Sequence, residues 1–194
     1  MVLEGHGEER ANVEARLNRQ VAKLEAEPRT RGAALLLSAR VATALQKPAE
    51  ALDRALLAVE RLPRLGVAWR VLGEAAMMAE RWNQAHLALK RATTLGLSAK
   101  AGTWERLADT LDEMGDLTGA EEAARKALEL TGSDPHARRR RLNLLGVVLK
   151  HRGELDAAME TLRPHGRIAV CGAISGYDPQ REGTFLMWKG TCLY

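Results

Sequence analysis

The sequence has few aromatic residues and no long apolar run. Aromatic residues make up 4% of the 194 residues, whereas hydrophobic residues make up 46%. The apolar side chains are therefore mostly alanine and leucine, which favour closely packed helices over strands. No apolar run approaches the roughly 18 residues that a membrane-spanning helix requires. We therefore expect a helical core and no membrane span.

Residues that hold metals or perform catalysis are also sparse. The two cysteines, Cys171 and Cys192, form no metal-binding or redox motif. The five histidines are scattered and lack metal-ligand spacing. Cys171 follows an apolar run and is interpreted as a buried structural thiol, and His86 as a partly exposed helix residue. The sequence predicts no metal, no cofactor and no catalytic site, so the protein is not expected to be an enzyme.

The charges are nearly balanced, with a net charge of +4. This mild excess does not by itself indicate a nucleic-acid partner. The first twenty residues lack the apolar core of a secretory signal. The expected location is therefore the cytoplasm.

The most regular stretch runs from Gly66 to Ala99. Its first half contains Trp69, Leu72 and Gly73, and its second half contains Ala85, Leu89 and Ala92. Each set falls on one face at the helical period of 3.6 residues, which predicts two helices joined by a loop at Glu80. Gly73 and Ala85 are small, so the two helices can approach closely where they cross.

Three further copies of this pattern occur at offsets of 34, 35 and 38 residues. Each copy has apolar or small residues at corresponding positions of a first and a second helix. The copies contain Leu35, Ser38, Ala39, Ala51, Ala55 and Ala58; Trp104, Leu107, Ala108, Ala120, Ala124 and Ala127; and Leu142, Leu145, Gly146, Ala158 and Leu162.

This pattern resembles the tetratricopeptide repeat (TPR), whose period is 34 residues. The resemblance covers residues 32–165 and implies an all-α solenoid of antiparallel helix pairs. The predicted organisation is a disordered start and capping helix at 1–31, four repeats at 32–65, 66–100, 101–134 and 135–165, and a non-TPR tail at 166–194. The capping helix is expected at 8–27, where apolar residues recur every three or four positions before Pro28.

Local signals at helix starts agree with this register. Pro48 and Pro135 are expected at first helical positions, where proline's missing N–H is not needed. Asn83, Asp116 and Asp134 are predicted N-caps.

The resemblance also implies a function, because TPR first helices line a concave groove that binds partner proteins. The predicted function is a non-catalytic adaptor or scaffold that holds a peptide or partner helix. The corresponding groove residues are Leu36, Leu37, Arg40, Arg70, Val71, Glu74, Met77, Met78, Glu105, Arg106, Asp109, Glu113, Arg140, Asn143, Leu144, Val147, Lys150 and His151.

The groove residues predict a mixed chemistry. Met77 and Met78 could repack around an apolar anchor or simply pack within the array, the third repeat is acidic, and the fourth is basic. The Lys and Asn pattern of the family's C-terminal carboxylate clamp is absent, so chaperone C-termini are not expected ligands. Residues 138–141, four consecutive arginines, could face acidic groups of a partner or be solvated, and nucleic acid is not an expected partner because no aromatic residues are interleaved. The acidic pairs 112–113 and 121–122 are interpreted as solvated helix charges.

The tail differs from the repeats. Residues 165–178, HGRIAVCGAISGYD, resemble a strand and loop of medium-chain NADP-dependent reductases of the leukotriene/prostaglandin reductase type. One strand cannot bind a dinucleotide, because the site needs a strand, a glycine turn and a helix. No cofactor contact is therefore assigned. The tail could be a fusion remnant, part of a reductase, a cover for the last repeat, or an edge for self-assembly and oligomerisation.

Overall fold

The computed structural model describes residues 15–16, 19–24 and 26–162, and every element in this part of the chain is helical. The described residues between 15 and 26 are helical, and Val21 among them is buried. The tail, with its predicted strand, lies outside the described residues. The helices that follow are α1 (Arg31–Ala44), α2 (Pro48–Arg61), α3 (Gly66–Met78), α4 (Trp82–Ala92), α5 (Ala101–Glu113), α6 (Leu117–Glu129), α7 (Pro135–His151) and α8 (Leu155–Leu162).

The helices are arranged as four antiparallel pairs stacked in sequence. Each helix packs against the one before and the one after it. The first helices, α1, α3, α5 and α7, also contact one another in order, while contacts between neighbouring second helices are sparser. We call the first helices the inner layer and the second helices the outer layer. This is the predicted all-α solenoid.

The core consists mainly of alanine and leucine, as the composition predicts. Ala39, Ala55, Ala68, Ala108 and Ala124 have no exposed surface. Their small side chains let the helices approach closely, and leucine and valine fill the remaining space. One cluster of buried residues lies between α1 and α4, and a second extends from α4 to α8, with Met77 packed against both. The apolar core is therefore continuous along the array.

The predicted close crossing of α3 and α4 is confirmed. A Cβ atom built on Gly73 would lie 2.6 Å from Leu89 Cγ and 3.5 Å from the carbonyl oxygen of Ala85. Leu89 is fully buried against the glycine. The glycine therefore provides the space that the leucine occupies.

The two helices of each pair are joined by the same kind of turn. One residue in each turn has a positive φ: Gln46 (59°), Glu80 (56°), Gly115 (79°) and Gly153 (82°). These positions are 34, 35 and 38 residues apart, the offsets of the sequence pattern. In all four turns the next N–H donates to the carbonyl oxygen five residues earlier, as from Arg81 to Ala76 at 2.8 Å. This bond satisfies a carbonyl at the end of the helix.

Two tryptophan side chains form hydrogen bonds that link a first helix to the loop before it. The indole Nε1 of Trp69 donates to the carbonyl of Pro63 at 2.8 Å, and that of Trp104 donates to the carbonyl of Ser98 at 2.7 Å. In each case the acceptor lies six residues upstream. The few aromatic residues thus set the angle at which the chain enters the next pair.

All four predictions that place a proline or an aspartate at a helix start are confirmed, and one N-cap prediction is wrong. Pro48 and Pro135 occupy first-turn positions. Asp116 accepts from the N–H of Gly119 at 3.0 Å, and Asp134 accepts from the N–H of His136 at 2.9 Å. Asn83 is not an N-cap, because α4 begins one residue earlier, at Trp82.

Candidate functional site: the inner face of the array

The structure separates the predicted groove residues into three groups by exposure. Eight are exposed: Leu37, Arg40, Arg106, Glu113, Arg140, Asn143, Val147 and His151. Eight are half-buried: Leu36, Arg70, Glu74, Met77, Met78, Asp109, Leu144 and Lys150. Two are buried: Val71 and Glu105.

The two buried residues have structural roles. Val71 is 1% exposed and belongs to the core cluster of the first two pairs, so it is not available to a partner. Glu105 is 8% exposed and forms ion pairs between helices. A helical register identifies the face on which a residue lies, but it does not show how far a neighbouring helix covers that face.

Glu105 on α5 holds two arginines of α7. The Arg140 guanidinium is bidentate, with Nε donating to Oε1 at 2.7 Å and Nη2 donating to Oε2 at 3.2 Å. Arg141 donates from Nε to Glu105 Oε2 at 3.2 Å and from Nη1 to the Thr131 hydroxyl at 3.0 Å. Arg141 is as buried as Glu105, whereas the Arg140 side chain is 66% exposed. This cluster joins the third and fourth first helices.

A second cross-helix link lies at the other end of α5. His151 Nδ1 lies 2.8 Å from Asp112 Oδ1 and 3.0 Å from Oδ2. Arg152, in the turn after α7, pairs with Glu121 on α6, which also accepts from Arg125. The interpretation of Asp112 and Glu121 as solvated helix charges is therefore wrong. Helices distant in sequence supply their counter-ions.

The contact between α3 and α5 is weaker. Glu74 pairs with Arg70 one turn before it on α3, and its Oε1 lies 3.9 Å from Arg106 Nε. Arg106 Nη1 lies 3.9 Å from Asp109 Oδ2. These separations are too long for hydrogen bonds. Arg106 therefore lies between two carboxylates without binding either tightly.

These contacts change the interpretation of the acidic and basic residues that were predicted to line the groove. The acidic third repeat and the basic fourth repeat face each other, and much of their charge is neutralised within the protein. Among the charged groove residues that the structure describes, Arg40, Glu113 and Lys150 form no ion pair with another described residue. A partner would meet these groups and the exposed apolar side chains.

Asp109 is an incompletely compensated carboxylate. Burial raises its pKa from 3.8 to about 6; the Arg106 guanidinium lowers the pKa, while the carboxylates of Glu105, Asp112 and Glu113 raise it further. The folded protein therefore binds a proton at Asp109 at pH values where the unfolded chain has already released it. Ionised Asp109 destabilises the fold as the pH rises through this window.

We predict that Asp109→Asn stabilises the protein at neutral pH. The gain should be about 1 kcal/mol, because solvent screens a side chain that is 35% exposed. The difference in unfolding free energy from wild type should be near zero at about pH 4 and reach its full value by about pH 7. Urea denaturation across this range measures it. A pH-independent difference would contradict the assignment.

The described residues offer no cluster of metal ligands. They contain no group of three or more His, Cys, Asp or Glu residues that could hold a metal ion. None of the helices described is long and apolar enough to cross a membrane.

Comparison with known proteins agrees with the architecture. Residues 101–134, which contain α5 and α6, match the family model for the tetratricopeptide repeat. The fold is that of a TPR array. No curated protein matches the chain by sequence.

Solved TPR-like structures match along most of the chain. MamA from Desulfovibrio magneticus RS-1 is 17% identical with a TM-score of 0.67, and the match covers 80% of this chain and 87% of that one. A thermophilic TPR protein from Thermus thermophilus is 20% identical with a TM-score of 0.60, covering 95% of both chains. The Sgt2 TPR domain from Aspergillus fumigatus is 22% identical with a TM-score of 0.56, covering 68% and 83%. At these identities the likeness is one of fold.

The cross-helix ion pairs of the inner face could not be found from the repeat period alone. Their partners are 35, 36 and 39 residues apart, so no single spacing identifies them. The one sequence signal was the acidic third repeat beside the basic fourth.

Proposed function

We propose that the chain is a non-catalytic adaptor that binds a segment of a partner protein on the inner face of its TPR array. The proposal rests on one observation: the first helices form a continuous layer that leaves apolar side chains exposed. Leu37 on α1 is 41% exposed and Val147 on α7 is 36% exposed, with Met77 and Met78 half-buried between them. These side chains offer apolar contacts on α1, α3 and α7, whereas the predicted groove residues of α5 are all charged.

The charges beside these apolar side chains favour a specific partner over general adhesion. Salt bridges fix the positions of Arg70, Glu74, Glu105 and Arg140 before a partner arrives. Pre-organised groups lose less conformational entropy on binding than free side chains do. Charge complementarity then sets the register of the partner segment, while apolar contacts supply affinity.

Site-specific photo-crosslinking tests this proposal. A photoreactive phenylalanine analogue replaces Val147 on the inner layer or, as a control, Leu87 on α4 of the outer layer. Leu87 is 68% exposed, more than Val147, so non-specific apolar binding would give more crosslinking at the control position. In lysate from the source organism, we expect discrete crosslinked products from position 147 and none from position 87.

The outcomes separate the alternatives. Equal crosslinking at both positions would overturn the groove proposal, as would none at position 147. If the product at position 147 is a second copy of the chain, the inner face serves self-assembly and not adaptor binding. Mass spectrometry of the crosslinked product distinguishes these results.

A further inference from the structure

The inner face of α7 carries a stripe of exposed, mainly basic residues. His136, Arg139, Asn143, Val147 and Lys150 follow at intervals of three or four, so they lie along one side of the helix. The first four are exposed or half-exposed, and Lys150 is half-buried. We call these five residues the α7 stripe. It spans about four turns, roughly 20 Å.

The stripe is not neutralised by the rest of the array. Helix α7 contains no acidic residue. Two acidic side chains of α5 are already paired with α7, because Glu105 holds Arg140 and Arg141, and Asp112 holds His151, while Asp134 at the start of the helix accepts from the N–H of His136. The side chains of Arg139 and Lys150 form no ion pair or hydrogen bond with a described residue. Within the described part of the chain, the stripe therefore keeps a net positive charge.

The two halves of the α7 stripe differ in their side chains. Its first half contains His136 and Arg139, with the exposed Arg140 guanidinium beside them. Its second half contains Val147, an exposed apolar side chain, and the half-buried Lys150. Asp109 and Glu113 lie in the second half of α5, and their carboxylates would repel an acidic group there. Acidic groups of a ligand are therefore favoured more over the first half of α7, which presents Arg139 and Arg140, than over the second half, which presents one lysine.

From this arrangement we infer that the partner segment is an acidic peptide with an apolar side chain. Its carboxylates bind beside Arg139 and Arg140, and its apolar side chain contacts Val147 about two turns further along α7. Arg139 suits this role because its planar guanidinium has no ion pair with a described residue and can donate two parallel bonds to a carboxylate, whereas Arg140 is already bidentate to Glu105 and adds positive charge. The inference rests on the proposed function and specifies the chemistry of the ligand.

The test is selection from a random-peptide library displayed on phage, with the full chain immobilised. We expect the selected peptides to be enriched in Asp and Glu, with one large apolar residue at a consistent distance from them. Their affinity for the wild-type chain should fall as salt is raised, because exposed ion pairs are screened.

Matched variants then locate the binding surface. Arg139→Glu should weaken the selected peptides about tenfold, because an attractive charge becomes repulsive. Val147→Asp should also weaken them. Arg91→Glu is the control: Arg91 is exposed on the outer layer, it has no ion pair with a described residue, and the charge change is the same. Circular dichroism melting of each variant establishes that it is folded.

The results that would contradict the acidic-partner inference differ from those that would contradict the groove proposal. Peptides that lose affinity with Val147→Asp but carry no acidic enrichment, or that are indifferent to Arg139→Glu, would overturn the acidic-partner inference and leave the groove proposal standing. Peptides that respond equally to Arg91→Glu would overturn it as well, because net charge alone would then explain binding. If every selected peptide is indifferent to both inner-face variants, the groove proposal fails with it.

Discussion

Replacing Glu105 with alanine is expected to lower the free energy of unfolding by about 3 kcal/mol. The carboxylate is buried and is the ionic partner of the equally buried Arg141. Its removal leaves a buried guanidinium whose only other hydrogen bond among the described contacts is to the Thr131 hydroxyl. Urea denaturation at neutral pH measures the loss. The effect is large because an unpaired buried charge destabilises the fold by more than the ion pair stabilises it.

The control for this experiment lies on the same helix. Glu113 is exposed and forms no ion pair with a described residue, so Glu113→Ala should change the unfolding free energy by no more than about 0.5 kcal/mol. Arg140→Ala should be milder than Glu105→Ala, since Arg140 is mostly exposed and Glu105 keeps Arg141. If Glu105→Ala and Glu113→Ala behave alike, the buried cluster does not stabilise the fold.

Leu89→Ala is expected to destabilise the protein by about 3 kcal/mol, because it opens a cavity at the crossing of α3 and α4. Gly73→Ala alone should also be destabilising, since its new methyl group would lie 2.6 Å from Leu89 Cγ. In the double variant the methyl group occupies space that the leucine has vacated. The loss of unfolding free energy in the double variant should therefore be smaller than the sum of the losses in the two single variants.

A double-mutant cycle measured by thermal and urea unfolding tests this coupling. Gly102→Ala is the matched control, because a Cβ at Gly102 meets nothing within 4 Å. That change should be neutral or stabilise by up to about 1 kcal/mol, since alanine favours a helix over glycine. Additive losses for Gly73→Ala and Leu89→Ala would show that the two residues do not share one space.

The fold was predictable because its determinants recur along the chain. The small residues at helix crossings and the turns at Glu80, Gly115 and Gly153 follow one register, and that register positions the helices. The Asn83 N-cap prediction failed because a residue that suits a cap does not determine where a helix starts. At Trp82 the closing turn of the preceding helix sets the start, since the N–H of Arg81 is already bonded to Ala76.

The chemistry of the inner face was less predictable. Sequence correctly indicated that α5 is acidic and α7 basic, but it did not indicate that Glu105 and Asp112 would be neutralised by α7. That result depends on the angle between neighbouring helices, which the repeat period does not encode. Burial was missed for the same reason at Val71, which has the register of a groove residue and the environment of a core residue.

The unequal ion pairing along the inner layer has an elastic consequence. Charged clusters join α5 to α7 near both ends, through Glu105 and through Asp112, whereas the Glu74–Arg106 contact between α3 and α5 is 3.9 Å long. Under a bending load we expect the joint between α3 and α5 to yield before the joint between α5 and α7. That joint lies beside Met77 and Met78, whose flexible side chains can follow the movement. The array would then be stiff between α5 and α7 and more compliant between α3 and α5. The width of the inner face would therefore change mainly beside the flexible methionine side chains.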